Sequence, residues 1–268
     1  MSISFDRAAD YYDRTRGYPP GVQERIGRAM LEAAGATPAS RLLELGVGTG
    51  RIALPIVRAG YRYTGVDISQ AMMERLRAAL DTIPGAWERV TLVEGDATAL
   101  PFDAESFDAV ITVHVYHLVS DRARVAAESA RVLARPGVLL NGRDDNIDEG
   151  GERREMFAAW DDILADLGWQ EQERVVRAAR LRMAPEWERL GATVDEVVGP
   201  EWEEALSPAQ ELEGFSERLW SSLWTVPDAI HSEAIARLRT WAAEHYGADL
   251  ETPVVRQRRF VIERGRLA

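Results

Sequence analysis

The chain has 268 residues, 46% of them hydrophobic, enough for a sizeable core and in favour of one elaborated domain over two independent ones. Its 44 acidic and 32 basic residues leave a net charge of −12, a balance that repels a phosphate backbone and argues against a nucleic-acid partner. It contains neither cysteine nor lysine, which excludes disulfides, thiolate nucleophiles, cysteine-held iron–sulfur clusters, a phosphate-loop lysine and Schiff-base chemistry.

After a stretch read as cap helices over 1–40, Arg41-Leu-Leu-Glu-Leu45 predicts a buried parallel strand, and a helix is expected from Arg51 onward. Between them runs Glu44-Leu-Gly46-Val-Gly48-Thr-Gly50. Its glycines let the backbone turn sharply and let a ligand lie against bare main chain. Arg62-Tyr-Thr-Gly-Val66 is the next strand, and it delivers Asp67 seventeen residues after Gly50. A carboxylate so placed can accept both hydroxyls of a ribose, so a nucleoside site is the first reading. The run is G-x-G-x-G. A dinucleotide turn wants glycine three positions after Gly48, where Arg51 stands, and the G-K-[ST] ending of a phosphate loop is missing. Pro55 is expected to kink the first helix, and Ser69 to cap the helix carrying Met72, Met73 and Leu76.

Val90 to Ala97 reads as the third strand with its exit turn, and Phe107 to Val113 as the fourth. Ala130 to Leu140 then supplies a helix end, a Pro136-Gly137 turn and the fifth strand. Strict alternation from 41 to 143 predicts a doubly wound parallel sheet. In Val113-His-Val-Tyr-His117 at the end of the fourth strand, His114 and His117 are candidate general bases, because imidazole titrates near neutrality. The alternative is that His114 offers only its backbone and His117 caps a loop. Tyr116 is a candidate to orient a substrate, and Asp144-Asp145-Asn146 reads as a solvated acidic loop, with contact to substrate left open.

Past 143 the pattern turns helical, with insertions expected at about 144–180 and 208–250 around a sixth strand near 193–198. Met156, Phe157, Trp160, Ile163, Leu164 and Leu167 fall on one apolar face. Ser207-Pro-Ala-Gln210 reads as a capping box opening a helix with Leu212, Phe215, Leu219 and Leu223, and with Trp220 and Trp224 on an adjacent stripe. Another helix starts at Pro227, and Val254 to Arg264 closes the sheet. Seven of the eight tryptophans lie in this half. They either glue the extra helices together, or Trp160, Trp220 and Trp224 line an apolar substrate chamber.

Taken together, the Glu44–Gly50 run, Asp67 ending the second strand, Gly95-Asp96-Ala97, Leu100-Pro-Phe102 and Phe107-Asp-Ala-Val110 resemble the class I S-adenosylmethionine-dependent methyltransferases, in particular the ubiquinone/menaquinone-biosynthesis-like group. The resemblance covers roughly residues 5–143. It implies a doubly wound, mostly parallel seven-stranded sheet with helical cap insertions, within one methyltransferase domain over 1–268 whose cofactor-binding core is 41–143. It implies S-adenosyl-L-methionine as cofactor, the ribose on Asp67 and the adenine on Asp96 and Ala97. The methionine end falls to Tyr12, Arg16 and Glu44, with Gly46, Gly48, Gly50, Arg51, Ile68, Met72 and Val113 around the same site. Metal-dependent relatives place an aspartate near His114 instead, so the oxygen-ligand set is incomplete and no metal is expected. The reading is transfer of a methyl group to a small, aromatic or apolar molecule at oxygen, nitrogen or carbon. A non-catalytic S-adenosylmethionine-binding protein and a nicotinamide oxidoreductase are the alternatives. With no apolar run of about 18 residues and no charged-then-apolar leader, a cytoplasmic monomer or homodimer is expected.

Overall fold

The computed structural model describes residues 17–119, 121–147, 153–169 and 182–267. In chain order they form α1 (Val22–Ala34), β1 (Leu42–Leu45), α2 (Ala53–Arg58), β2 (Tyr63–Asp67), α3 (Gln70–Leu80), β3 (Val90–Glu94) and β4 (Phe107–Val113). Then come α4 (Arg122–Val132), β5 (Leu133–Asn146), α5 (Arg153–Asp166), α6 (Ala184–Arg189), β6 (Ala192–Leu206), α7 (Pro208–Ser216), α8 (Asp228–Tyr246) and β7 (Val254–Leu267). The seven strands make a mixed sheet in the order β3-β2-β1-β4-β5-β7-β6. β1 runs parallel to both β2 and β4, β2 to β3, and β4 to β5. The chain winds outward from β1 through β2 to β3, then returns to lay β4 on the other side of β1. Ligands of such sheets bind at that reversal, outside the carboxyl ends of the strands.

The chain divides into two compact units, the first made of Met1–Asp145, Val175–Pro200 and Arg259–Ala268. Within it all four residues of β1 are buried, as a central parallel strand covered on both faces requires. Its third residue is Glu44, so the alternation of the strand carries a carboxyl group into the interior. Ser69 accepts the Met72 N–H at 3.2 Å and starts α3, which buries Met72, Met73, Leu76 and Leu80. Pro55, expected to kink a helix, breaks nothing. It is the third residue of α2, within the first turn, where backbone N–H groups have no intrahelical acceptor. Its ring also meets α1, where a side chain on Gly27 would stand 3.1 Å from it.

The turn after β3 is pinned from α4. The buried Glu128 carboxylate accepts the Leu100 N–H at 2.9 Å and pairs with Arg131 at 2.7 Å, while Arg131 also donates to the Leu100 and Phe102 carbonyls. The Arg131 guanidinium holds the Glu128 carboxyl below its ordinary range. Replacing Glu128 by alanine strands a buried N–H and an arginine, and is expected to cost about 2–3 kcal/mol. Denaturant unfolding checks this, and a loss under half a kcal/mol, roughly the surface value, would contradict the assignment.

The second unit comprises Asn146–Arg174 and Glu201–Arg258. It starts two residues after the expected 144 and takes in the far end of β6, which runs to Leu206 where a strand over 193–198 was expected. Its core joins Met156, Trp160 and Leu164 of α5 to Phe215 of α7 and Ala234, Ile235 and Leu238 of α8. The Ser207 capping box is present, with Gln210 returning its side chain to the Ser207 N–H. The helix it opens stops at Ser216, however, instead of running through Trp224. The Leu219 N–H bonds Gly214 O and the Arg218 N–H bonds Phe215 O, a Schellman closure with Arg218 at φ 54° where glycine is usual. Trp220 then folds back over Gly214, where a Cβ would meet the indole at 2.4 Å.

Candidate functional site

β1 hands the chain to a turn that lies across β2. The Gly46 and Val47 N–H groups both donate to the Val66 carbonyl, at 2.7 and 3.1 Å, and Val47 settles on the bare face of Gly65. Gly46, Gly48 and Gly50 all take the left-handed conformation, at φ 72°, 54° and 90°. A side chain on Gly46 would strike Val115, and one on Gly50 would strike Leu76, each at 2.4 Å. At Gly48 the nearest neighbour is the Met72 methyl at 3.5 Å, an ordinary contact. Two of the glycines are therefore needed for packing and the third leaves open surface. Asp67 is turned onto this loop: its Oδ2 accepts the Gly48 N–H and its Oδ1 the Ser69 N–H, both at 2.8 Å.

Behind the turn, the Tyr63 hydroxyl donates to Glu44 Oε2 at 2.9 Å, and both residues are fully buried. Burial pushes the Glu44 carboxyl up to about 8, against the Tyr63 hydrogen bond and the Arg51 charge, which pull it down, and with the Asp67 charge, which adds to the rise. Burial also pushes the Tyr63 phenol up. Tyr63 was not singled out from sequence, although strand parity contains the signal. Glu44 pairs with Gly65, so Tyr63, two residues earlier, projects from the same face of the sheet as Glu44.

The remaining expected cofactor residues fall around the same strand ends. Asp96 is joined to the site through the Gly95 N–H, which bonds the Asp67 carbonyl at 3.0 Å. Asp96 Oδ1 accepts both the N–H and the hydroxyl of Thr98, fixing the turn in which Ala97 is buried. Met72 and Val113 are buried, Ile68 is half-buried, and the Arg51 guanidinium sits 5.2 Å from the centre of the Tyr18 ring. Tyr12 and Arg16 lie outside the described residues.

At the end of β4, His114 adopts φ 56°, left-handed for a residue that pays for it in strain, with its N–H on Gly142 O at 3.3 Å. Its Nε2 is buried and lies 3.2 Å from Asp144 Oδ2, within ion-pair range but off the line of a hydrogen bond. Asp144 Oδ1 accepts the Tyr18 hydroxyl at 2.9 Å. Asp144, read from sequence as part of a solvated loop, is thus a side chain of the site, at 18% exposure. Tyr18 carried no sequence signal. His117 is half-buried in the turn closed by the Leu118 N–H on Val115 O. The structure does not bring Tyr116 to this site. Its ring packs against Trp187 in the core, and burial pushes its phenol up to about 12. In the second unit Trp160 is likewise a core residue, tilted against Phe215 and edge-on to His231, because α5 turns that face inward. Trp220 and Trp224 are half-buried, the latter donating its indole N–H to Arg218 O at 2.8 Å. Among the described residues no three His, Asp or Glu side chains converge as a metal site would need, and no helix is long and apolar enough to cross a membrane.

Comparison with known proteins agrees with this fold. A family model described as a methyltransferase domain matches residues 43–141, the stretch from β1 to β5. An uncharacterized methyltransferase of Mycobacterium tuberculosis is 36% identical over 170 residues, 62% of this chain and 63% of that protein. The match thus spans somewhat under two thirds of that relative's length. A phosphatidylethanolamine N-methyltransferase of Cereibacter sphaeroides is 32% identical over 190 residues, 68% of this chain and 88% of that one. Among solved structures, the [4+2]-cyclase SpnF superposes with a TM-score of 0.58 at 20% identity, covering 98% of this chain and 93% of its own, a likeness of fold.

Proposed function

Since the chain belongs to the class I S-adenosylmethionine-dependent methyltransferases of the ubiquinone/menaquinone-biosynthesis-like group, we propose that it transfers the methyl group of S-adenosyl-L-methionine to a small, aromatic or apolar acceptor. The observation that carries the reading is the Asp67 carboxylate held against the open main chain at Gly48. The residues fit the cofactor. Bare backbone at Gly48 would face a flat nucleoside, and Asp67 offers acceptors to ribose hydroxyls. Asp96 and Ala97 would meet the adenine. A buried Glu44 that accepts the Tyr63 hydroxyl suits a cationic methionine end. Gly46, Gly50, Arg51, Ile68, Met72 and Val113 complete the surround, with Tyr12 and Arg16 assigned to the methionine end as well.

When bound, that cofactor supplies a methyl group already activated on a sulfonium. What remains for the protein is to align an acceptor with the methyl carbon, exclude water and, for a protic acceptor, take a proton. His114 and His117 stand at the strand end where the last task falls.

Asp67→Ala is expected to weaken S-adenosylmethionine binding by about 1.5–3 kcal/mol, the worth of charge-assisted hydrogen bonds. Calorimetric titration measures it, and an affinity equal to wild type would refute the ribose assignment. A turnover screen over quinones, phenols, amines and carboxylates, read by mass spectrometry for gain of one methylene unit, tests the transfer itself.

A further inference from the structure

We propose that His114 is the general base of the reaction and that Asp144, braced by Tyr18, is the residue that positions it, so that the acceptor must be protic. This rests on the methyl-transfer reading above. Three observations lead to it, all within the first unit. The first is backbone placement. β4 and β5 are parallel neighbours with Val113 opposite Gly142, so their carboxyl ends bring His114 and Asp144 side by side. The residue after His114 presses on the glycine turn, where Val115 Cγ2 occupies the space a Cβ on Gly46 would need. His114 is thereby held one residue from the loop assigned to the cofactor.

The second is the side-chain chain of contacts. Nε2 of His114 lies 3.2 Å from Asp144 Oδ2, and Oδ1 of the same carboxylate takes the Tyr18 hydroxyl at 2.9 Å. A carboxylate 3.2 Å from Nε2, although off the line of a hydrogen bond, repels a lone pair on that nitrogen and so favours the tautomer with the proton on Nε2. Nδ1 is then the nitrogen that can accept. The Arg51 guanidinium over the Tyr18 ring ties this brace to the turn that follows Gly50. The third is strain. His114 holds a left-handed backbone that glycine would adopt more cheaply, and such residues persist where the surrounding structure over-determines them.

The step balances without a further reactant. The proton of the acceptor's O–H or N–H passes to Nδ1 of His114. The acceptor's lone pair forms the new bond to the methyl carbon, and the electron pair of the broken carbon–sulfur bond stays on sulfur. The imidazolium left behind is paired with Asp144 until it releases the proton to water.

The test has two arms. In the first, 15N NMR of the imidazoles in wild type and in Asp144→Asn reads the His114 tautomer. The proton is expected on Nε2 in wild type and redistributed toward Nδ1 in the variant, and a wild-type ring protonated on Nδ1 overturns the proposal whatever the substrate. In the second, S-adenosylmethionine affinity is measured by calorimetry and methyl transfer with 2-naphthol and 2-naphthylamine as probes. Asp144→Asn and Tyr18→Phe are expected to lower kcat, the former at least about tenfold, while cofactor affinity and the KM of the probe stay within about twofold. Asp144→Glu should recover part of the loss, and added imidazole part of the larger loss in His114→Ala. A His114→Ala enzyme with wild-type kcat overturns the proposal. A wild-type protein that does not bind the cofactor overturns the functional reading instead, and the NMR arm still decides the pair.

Discussion

Raising the pH from 6 to 8 is expected to destabilise this protein by about 2 kcal/mol through Glu44 alone, at 1.36 kcal/mol for each pH unit over which its protonation differs between states. The carboxyl titrates near 4.5 when unfolded and is pushed up to about 8 in the fold, first by burial. Between those values the native chain holds a proton that the unfolded chain has released. Stability from this group is therefore complete below about 4.5 and is lost as pH climbs through 8. His231, whose imidazole burial holds below its ordinary value, works in the opposite direction at the acid end, so the comparison must be made against Glu44→Gln. Urea unfolding at pH 6, 7 and 8 should show the extra slope in wild type and its absence in the variant. Parallel slopes would mean that Glu44 is ionised in the native state. Affinity should move the other way. If Glu44 meets the cationic end of the cofactor, binding pulls its proton off, so affinity rises from pH 6 to 8 and calorimetry in two buffers of different ionisation heat reads the released proton.

That coupling was half visible in the sequence. Glu44 stands out as an acid in an apolar strand, and its alternation with Leu43 and Leu45 says it must be buried or face a ligand. The Tyr63 partner follows only once β1 and β2 are set in register, which fixes which residues share a face. Local spacing was enough for β4, expected and found over Phe107 to Val113, because a run of apolar residues bounded by turns leaves little choice. It was also enough for the glycine turn, whose left-handed glycines lie within seven residues. It failed at α7, where the helix is ended by an arginine in a left-handed position, a termination that sequence marks only when the residue is glycine. It failed again at the His114–Asp144–Tyr18 cluster. Tyr18 and Asp144 are 126 residues apart and meet because the sheet order places β5 next to β4. Tyr116 and Trp160 show the converse error, since an aromatic beside a presumed site is pulled into the core by the face of the element it belongs to.

The glycine turn separates folding from binding in a way that two single substitutions can expose. Gly50→Ala forces a Cβ into a left-handed position at a cost of roughly 1–2 kcal/mol. It also places that carbon 2.4 Å from Leu76 Cδ1 and 3.1 Å from Leu54 Cγ. Leu76 is fully buried on α3, so its methyl has no vacant space to move into, and overpacking adds about 1–3 kcal/mol. Thermal and denaturant unfolding should record a loss of about 2–5 kcal/mol in all. Gly48→Ala carries only the conformational cost, roughly 1–2 kcal/mol, because the nearest atom to the new carbon is Met72 Cε at 3.5 Å. Its folding should be nearly intact while its affinity for S-adenosylmethionine drops by more than about tenfold, since a methyl group there stands on the surface a nucleoside needs and disturbs the N–H that Asp67 accepts. A Gly48→Ala protein that binds as wild type does, or that unfolds as easily as Gly50→Ala, would show that the bare turn serves packing throughout and would remove the nucleoside from it.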